Sequence, residues 1–288
     1  MPTIVRRVSF SKESEPFIEF THGDRIWRVN PLQSDTINLQ FDATVRYCIG
    51  RFDMTTWTDY PCPHQECIPT KYEQCVSCIK ATGFNPAFYN TNDISPQQLS
   101  FNAEPHIVYL AYFAPDCIKV GISNAKRGLG RLLEQGARAA IILAECPSAN
   151  IARSYEAKAT GFHQIRDSVQ LGKKMLLAEK PFDSKQATAI LLQYTDELET
   201  ALNASFSHDV LLLDPYYFNQ SPPDLHLAIN LSEQSTVIGQ PLGMLGSILY
   251  CRYHDDIVYL PLKKYIGYAI DEAAPDTIML PQKQLTLL

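Results

Sequence analysis

The stretch CIKVGISNAKRGLGRLLEQGARAAIILAEC, Cys117 to Cys146, decides how the rest of the chain is read. It opens as a strand reaching Gly121. A short helix over KRGLGRLLEQGA follows; it carries Arg131, is weakened by two internal glycines and closes at Gly136. RAAIILAEC then forms another apolar strand. Upstream, HIVYLAYF (106–113) reads as a buried strand and APD as a tight connection, so the first two strands form an antiparallel hairpin. Downstream, Pro147 and Ser148 signal a helix start, and PSANIARSYEAKATGF runs to Gly161 with Ile151, Tyr155 and Ala159 at helical spacing. The order is strand, strand, helix, strand, helix. A longer amphipathic helix over SKQATAILLQYTDELETALNASF, with Ile190, Leu191, Tyr194, Leu198 and Leu202 on one face, closes this unit, and that stripe is core packing.

The same unit gathers the basic residues of an acidic protein. Net charge is −6 over 288 residues, which argues against a general nucleic-acid coat. Between Ile118 and Lys174, however, ten Lys or Arg face four acids, making that segment +6 and the remainder −12. Such an excess marks either a phosphate-facing surface or solvated helix faces that happen to be basic. The segment RGLGR (127–131) lacks the Gly-Lys-Ser/Thr of a P-loop and the full dinucleotide fingerprint. No Gly-x-Ser-x-Gly elbow and no cysteine with an evident histidine partner supports acyl transfer.

Outward again, the flanks are β-rich. Residues 1–100 carry short aromatic or alternating runs (EPFIEF, DRIWRVN, ATVRYCIG) and no long helix, and FNPAFYNTNDISPQQLSFNAEP (84–105) reads as a connector. Residues 205–288 string short β-branched runs between Gly, Asp and Pro turns, as in a small β-barrel or sandwich; His254-Asp255-Asp256 reads as a polar hairpin turn. The expectation is an α+β chain of three parts: 1–100, 101–204 and 205–288.

Eight cysteines without an export signal point to metal or free thiols rather than disulfides. The CVSC pair, Cys75 and Cys78, has the spacing for two thiolates on one tetrahedral ion. Cys48, Cys62, Cys67 and His64 compete to complete the set. The favoured set is Cys48, Cys62, Cys75 and Cys78, with Cys67 spare, holding a structural Zn2+ because four thiolates leave no open position for water. The alternatives are a redox pair or unligated thiols. Cys117, Cys146 and Cys251 read as small core residues. The N-terminus lacks a signal-peptide core and no apolar run approaches the ~20 residues that span a bilayer, so a cytoplasmic protein without membrane contact is expected.

Residues 106–165 resemble a divergent GIY-YIG nuclease domain. Tyr109 in IVYL stands at the position of the first motif's tyrosine, and Lys119-Val120-Gly121 replaces the second motif. Arg131 falls at the helix arginine, and Glu156 in RSYEAK at the metal-binding glutamate. The resemblance implies phosphodiester hydrolysis with Mg2+ or Mn2+ on Glu156, Arg131 on phosphate, Tyr109 assisting proton removal from water, and Lys119 supplying charge or acting as a base. DNA or RNA is the implied partner. The replacement of the second tyrosine by Lys119 equally fits a site that binds without cleaving. On the bland side, Tyr109 would be a core tyrosine, and Arg131 and Glu156 an ion pair between helices. More broadly, YCIG, PCP, QCVSC, VYLAYF, IKVGIS, RLLEQGA, SYEAK, IGQPLGMLG and YIGY are similar to an uncharacterised bacterial family that joins a cysteine cluster, this central unit and a β-rich tail; Cys67 departs from its pattern.

Overall fold

A computed structural model describes residues 1–87, 93–162, 165–220, 222–271 and 277–280. The N-terminal part supplies β1 (Ile4–Phe10), β2 (Pro16–His22), β3 (Arg25–Val29), β4 (Ile37–Tyr47), β5 (Arg51–Asp53), β6 (Thr58–Tyr60), β7 (Cys67–Ile68), α1 (Val76–Thr82) and α2 (Pro96–Asn102). The centre contains β8 (His106–Ala114), β9 (Cys117–Asn124), α3 (Gly128–Gln135), β10 (Ala139–Cys146), α4 (Ala149–Thr160), α5 (Leu171–Ala178) and α6 (Ser184–Leu202). Beyond it lie β11 (Val210–Leu212), β12 (Ile229–Asn230), β13 (Thr236–Leu245), β14 (Ile248–Tyr253), β15 (Asp256–Pro261) and β16 (Tyr268–Asp271).

The fold is α+β, and its central order is the expected strand, strand, helix, strand, helix. β8 and β9 form the hairpin, with Tyr109 opposite Gly121 and Ala111 opposite Lys119. They lie in a four-stranded sheet ordered β11-β10-β8-β9. Every residue of β8 is buried because both faces of this sheet are covered, which also explains why its sequence is a continuous apolar run rather than an alternation. Val108, Leu110 and Tyr112 pack with Ala152, Leu191 and Leu198 of α4 and α6. The alternate residues Tyr109, Ala111 and Phe113 join Leu132 and Leu133 of α3 in a second core shared with the flanking strands.

The flanks do not form a separate C-terminal barrel. Among the described residues no barrel closes; instead strands from both ends of the chain hydrogen-bond in one ten-stranded sheet, ordered β12-β15-β14-β13-β4-β16-β1-β2-β3 with β7 on β4. Hairpin turns at Gly246 and at His254, which the sequence marks correctly, build β13 to β15, but β13 then finds β4 and β16 finds both β1 and β4. Local pattern specifies each hairpin and leaves open which edges pair, because that pairing joins residues about 200 positions apart.

Two glycines set how closely the halves meet. Gly136 ends α3 at φ +72° and Gly246 turns β13 into β14 at φ +63°. A β-carbon on Gly246 would lie 2.9 Å from the Gly136 Cα, so the two backbones touch where only glycine permits both the left-handed conformation and the approach. The stretch read as a connector contains α2, capped by the Ser95 side chain on the Gln98 amide; residues 88–92 of that stretch lie outside the described residues. No described helix is long and apolar enough to cross a membrane.

Candidate functional site

Two constellations gather the metal-ligating and ionisable side chains singled out above. In the first, the sulfurs of Cys48, Cys62, Cys75 and Cys78 all lie within 4.8 Å of one another, and all four residues are buried. β4 delivers Cys48, the loop after β6 delivers Cys62, and α1 carries the other two. Cys75 is the N-cap of α1, its sulfur accepting the Cys78 amide at 3.5 Å. The Cys48 sulfur accepts the amides of Gly50 at 3.4 Å and Cys75 at 3.1 Å. Amides aimed at sulfur favour thiolate, whereas burial pushes the Cys48 thiol up to about 11. A set of soft donors that burial disfavours as free anions, yet amides solvate as anions, suits a bound cation that displaces the protons. The favoured four-cysteine set is thus the set the fold brings together. Cys67, on β7, and His64 are exposed and outside it. All eight cysteines are free of disulfides.

The second constellation lies where the central sheet meets the large one. Lys119 and Gly121 project from one face of β9, and Tyr109 stands opposite Gly121. A β-carbon at 121 would fall 2.5 Å from the Tyr109 hydroxyl and 2.8 Å from Lys119 Nζ, so both polar tips converge over the glycine. Tyr109 is fully buried, and its hydroxyl has no hydrogen-bond partner. Burial raises its pKa, opposed by the positive charge of Arg131 beside it. Lys119 is 7% exposed, donates only to the Val120 carbonyl at 3.0 Å, and is lowered to about 8 by burial and by Arg131, against the pull of Glu156 and Asp167.

Arg131 comes from α3. Its Nε is buried without a partner, and its terminal nitrogen lies 3.3 Å from Glu134. Glu156 comes from α4, which packs on the opposite face of the sheet, and is buried and paired with Arg153. Arg131 and Glu156 therefore do not form the interhelical pair that the bland reading allows: each has its own partner three residues away. Of the face expected on α4, Ala159 is buried and Tyr155 packs on the core, but Ile151 is not part of it. Ala152, Glu156 and Ala159 are buried while Ile151 is 43% exposed, because a helix laid close on a sheet needs small residues beneath it.

A cleft of about 540 Å³ opens over Lys119 and Arg131, walled by Lys174 of α5 and by Arg7, Lys263 and Lys264 of the large sheet and its turns. Tyr109 and Glu156 do not line it. Four residues escaped sequence reasoning. Lys263-Lys264 lies in a turn some 90 residues beyond the basic segment, Arg7 belongs to β1, and Asp167 reaches Lys119 because Arg166 hydrogen-bonds along the free edge of β9, its amide to the Ile118 carbonyl at 3.0 Å and its carbonyl to the Val120 amide at 2.9 Å. The basic segment contains Lys174 as a signal; for the others only contact in space supplies one.

A mixed α+β protein with a four-cysteine cluster and a cationic cleft between two sheets is the class that fold and site define. Residues 37–270 match the family described as "Protein of unknown function (DUF2797)", and the chain belongs to that family. No curated protein and no solved structure matches it.

Proposed function

We propose that this protein is a divergent metal-dependent phosphodiesterase acting on a structured or modified nucleic acid, DNA or RNA, with a structural Zn2+ on Cys48, Cys62, Cys75 and Cys78. The observation that carries this reading is the meeting of the Tyr109 and Lys119 polar tips over Gly121 with Arg131 beside them at a cationic cleft, Glu156 acting on them electrostatically from the helix on the other face of the sheet. Their order along the chain and the element order around them support the resemblance to GIY-YIG nucleases.

Lys119 is poised as the base. A lysine titrating near 8 is partly neutral at physiological pH and can take a proton from the attacking water, while the water oxygen bonds to phosphorus, the ester P–O bond breaks and the leaving oxygen takes a proton from solvent. Arg131 offsets the charge that grows on the phosphoryl oxygens. Tyr109 packs its hydroxyl beside Lys119 over Gly121 and holds the amine in place, and the proton that Lys119 takes leaves to solvent through the cleft. Mg2+ or Mn2+ held by Glu156 would supply Lewis-acid polarisation of the phosphate, and the Glu156 carboxylate would have to leave Arg153 to reach it.

That same Arg153 pairing favours a second reading, a nucleic-acid-binding module in which Glu156 is purely structural. Cleavage of labelled single-stranded, duplex and branched DNA and RNA with Mg2+ or Mn2+, beside Glu156→Gln, separates the two. Phosphodiesterase activity predicts cleavage by wild type and loss of at least 100-fold in the variant. Salt-sensitive binding that survives the substitution, with no cleavage on any substrate, leaves the binding module.

A further inference from the structure

The cleft is charged beyond what a single phosphodiester would balance. Six basic residues line it, and Glu134 is the one acid among its lining residues. Glu134 is already committed, to Arg127 at 2.5 Å, to the Ser9 hydroxyl and to Arg131; Arg7 is held by Asp59 at 2.7 Å. Lys119, Lys174, Lys263 and Lys264 have no ion pair among the described residues. Four lysines without an ion pair thus face one recess whose single lining acid is already engaged.

We propose that this cleft binds a ligand carrying several adjacent phosphates, a polyphosphate chain, rather than a lone phosphodiester of a nucleic-acid backbone. The inference rests on the reading of the cleft as phosphate-binding and names the ligand that fills it.

Charge and size both support this. A terminal phosphate carries about −1.5 to −2 at pH 7 and each further phosphate in the chain adds one more charge, so a triphosphate approaches the four uncommitted cations whereas one diester leaves most of them opposed to each other. An extended strand calls for cations along an open track; here they are concentrated in a recess of about 540 Å³, within the range of small-molecule sites. The cations also come from three separate parts of the fold, β9, α5 and the turn after β15, so no single helix face explains their juxtaposition. Crowding is felt in the ligand-free protein: burial, then Lys263, Lys119 and Arg131, lower Lys174 to about 8. The first turn of α5 opens onto the same recess, residues 168–171 lining it, and its N-cap, Gln170, makes no side-chain bond to the turn, which leaves backbone donors for phosphate oxygens.

The test is calorimetric titration of the full-length protein with inorganic phosphate, pyrophosphate and tripolyphosphate at fixed salt. Affinity is expected to rise at least tenfold from phosphate to tripolyphosphate. It should fall at least fivefold in Lys263→Ala/Lys264→Ala, whose side chains are exposed and whose fold is checked by thermal melting, and in Lys174→Met. Cys67→Ser, at an exposed position outside the cleft, should bind tripolyphosphate within twofold of wild type. Three further probes distinguish the source of the chain: a nucleoside triphosphate, an oligonucleotide with a 5′-triphosphate, and the same oligonucleotide with a 5′-hydroxyl. Equal affinity for phosphate and tripolyphosphate, wild-type binding by the double lysine variant, or equal binding of the two oligonucleotides would each overturn the proposal. Cleavage of 5′-hydroxyl substrates that depends on Glu156, without polyphosphate binding, would sink this inference and leave the phosphodiesterase reading standing.

Discussion

Lys119 shows how one side chain ties the cleft to pH. It is faced by Tyr109 from β8, Arg131 from α3, Glu156 from α4, Lys174 from α5 and Asp167 along the β9 edge, and burial with the Arg131 charge brings it to about 8. Anion affinity should therefore fall as pH rises from 7 to 9.5, with proton uptake on binding near pH 8 to 9; titrations in buffers of different ionisation enthalpy measure both, and a flat profile refutes the assignment. Stability runs the other way. The folded lysine holds its proton less tightly than the unfolded one, at 10.5, so between about 8 and 10.5 the unfolded state binds more protons and the contribution of Lys119 and Lys174 to folding grows with pH. Gly121 is the companion case. Alanine there meets the Tyr109 hydroxyl at 2.5 Å, and we expect a loss of about 1–3 kcal/mol, read as a lower Tm. An unchanged Tm would mean that the two polar tips do not converge over that glycine. Lys119, Arg131 and Glu156 are singled out in the sequence by the resemblance to GIY-YIG domains, which places them on a strand and two helices in the expected order. Nothing local distinguishes Gly121 from any strand glycine, since its role is set by a side chain twelve residues away.

At the level of elements, α1 owes its placement to its first turn. A seven-residue helix is marginal by itself, yet Cys75 caps it and Cys78 turns inward toward Cys48 and Cys62. Cys78→Ser should abolish stoichiometric metal, measured by elemental analysis of protein purified without chelator, and lower the Tm by several degrees or more; Cys67→Ser, at an exposed position, should change neither. Metal retention by Cys78→Ser would remove the four-thiolate site. The turn at Gly246 governs a different junction. Gly246→Ala adds left-handed strain to a 2.9 Å clash with Gly136, so a destabilisation of about 1–3 kcal/mol is expected, and denaturant midpoints check it. Helix ends and hairpins were legible here because Ser148, Gly136 and the polar turn at His254 act on their own neighbours. The face of α4 was legible only in part: Tyr155 and Ala159 pack as their spacing suggests, but close packing on a sheet selects Ala152 and Glu156 over Ile151.

Over the whole molecule, the termini and the centre share one core. Val5, Phe10 and Phe20 from the first strands pack in the same cluster as Tyr109, Leu133, Tyr250 and Leu260. Deleting residues 1–36 would remove β1 to β3, strip β1 from β16 and uncover α3, so the truncated chain should lose cooperative unfolding and become insoluble, whereas the full chain should melt in a single transition by both circular dichroism and tryptophan fluorescence. A soluble truncation with the parent Tm would show that the first strands are dispensable.

By itself the sequence determined the α+β class, the order of the central elements, the central hairpin and the Cys75–Cys78 pair, because these follow from periodicity, turn chemistry and ligand spacing over short distances; which other cysteines join that pair was settled by the fold. Only the tertiary structure decided that the two β-rich flanks are one sheet and that Arg7, Lys119, Lys174, Lys263 and Lys264 line one cleft. The physical reason is common to both: strand edges carry the same unpaired amides and carbonyls wherever they lie, and a surface lysine looks alike in any turn, so which edge is paired and which charge is shared are settled by burial across the whole chain.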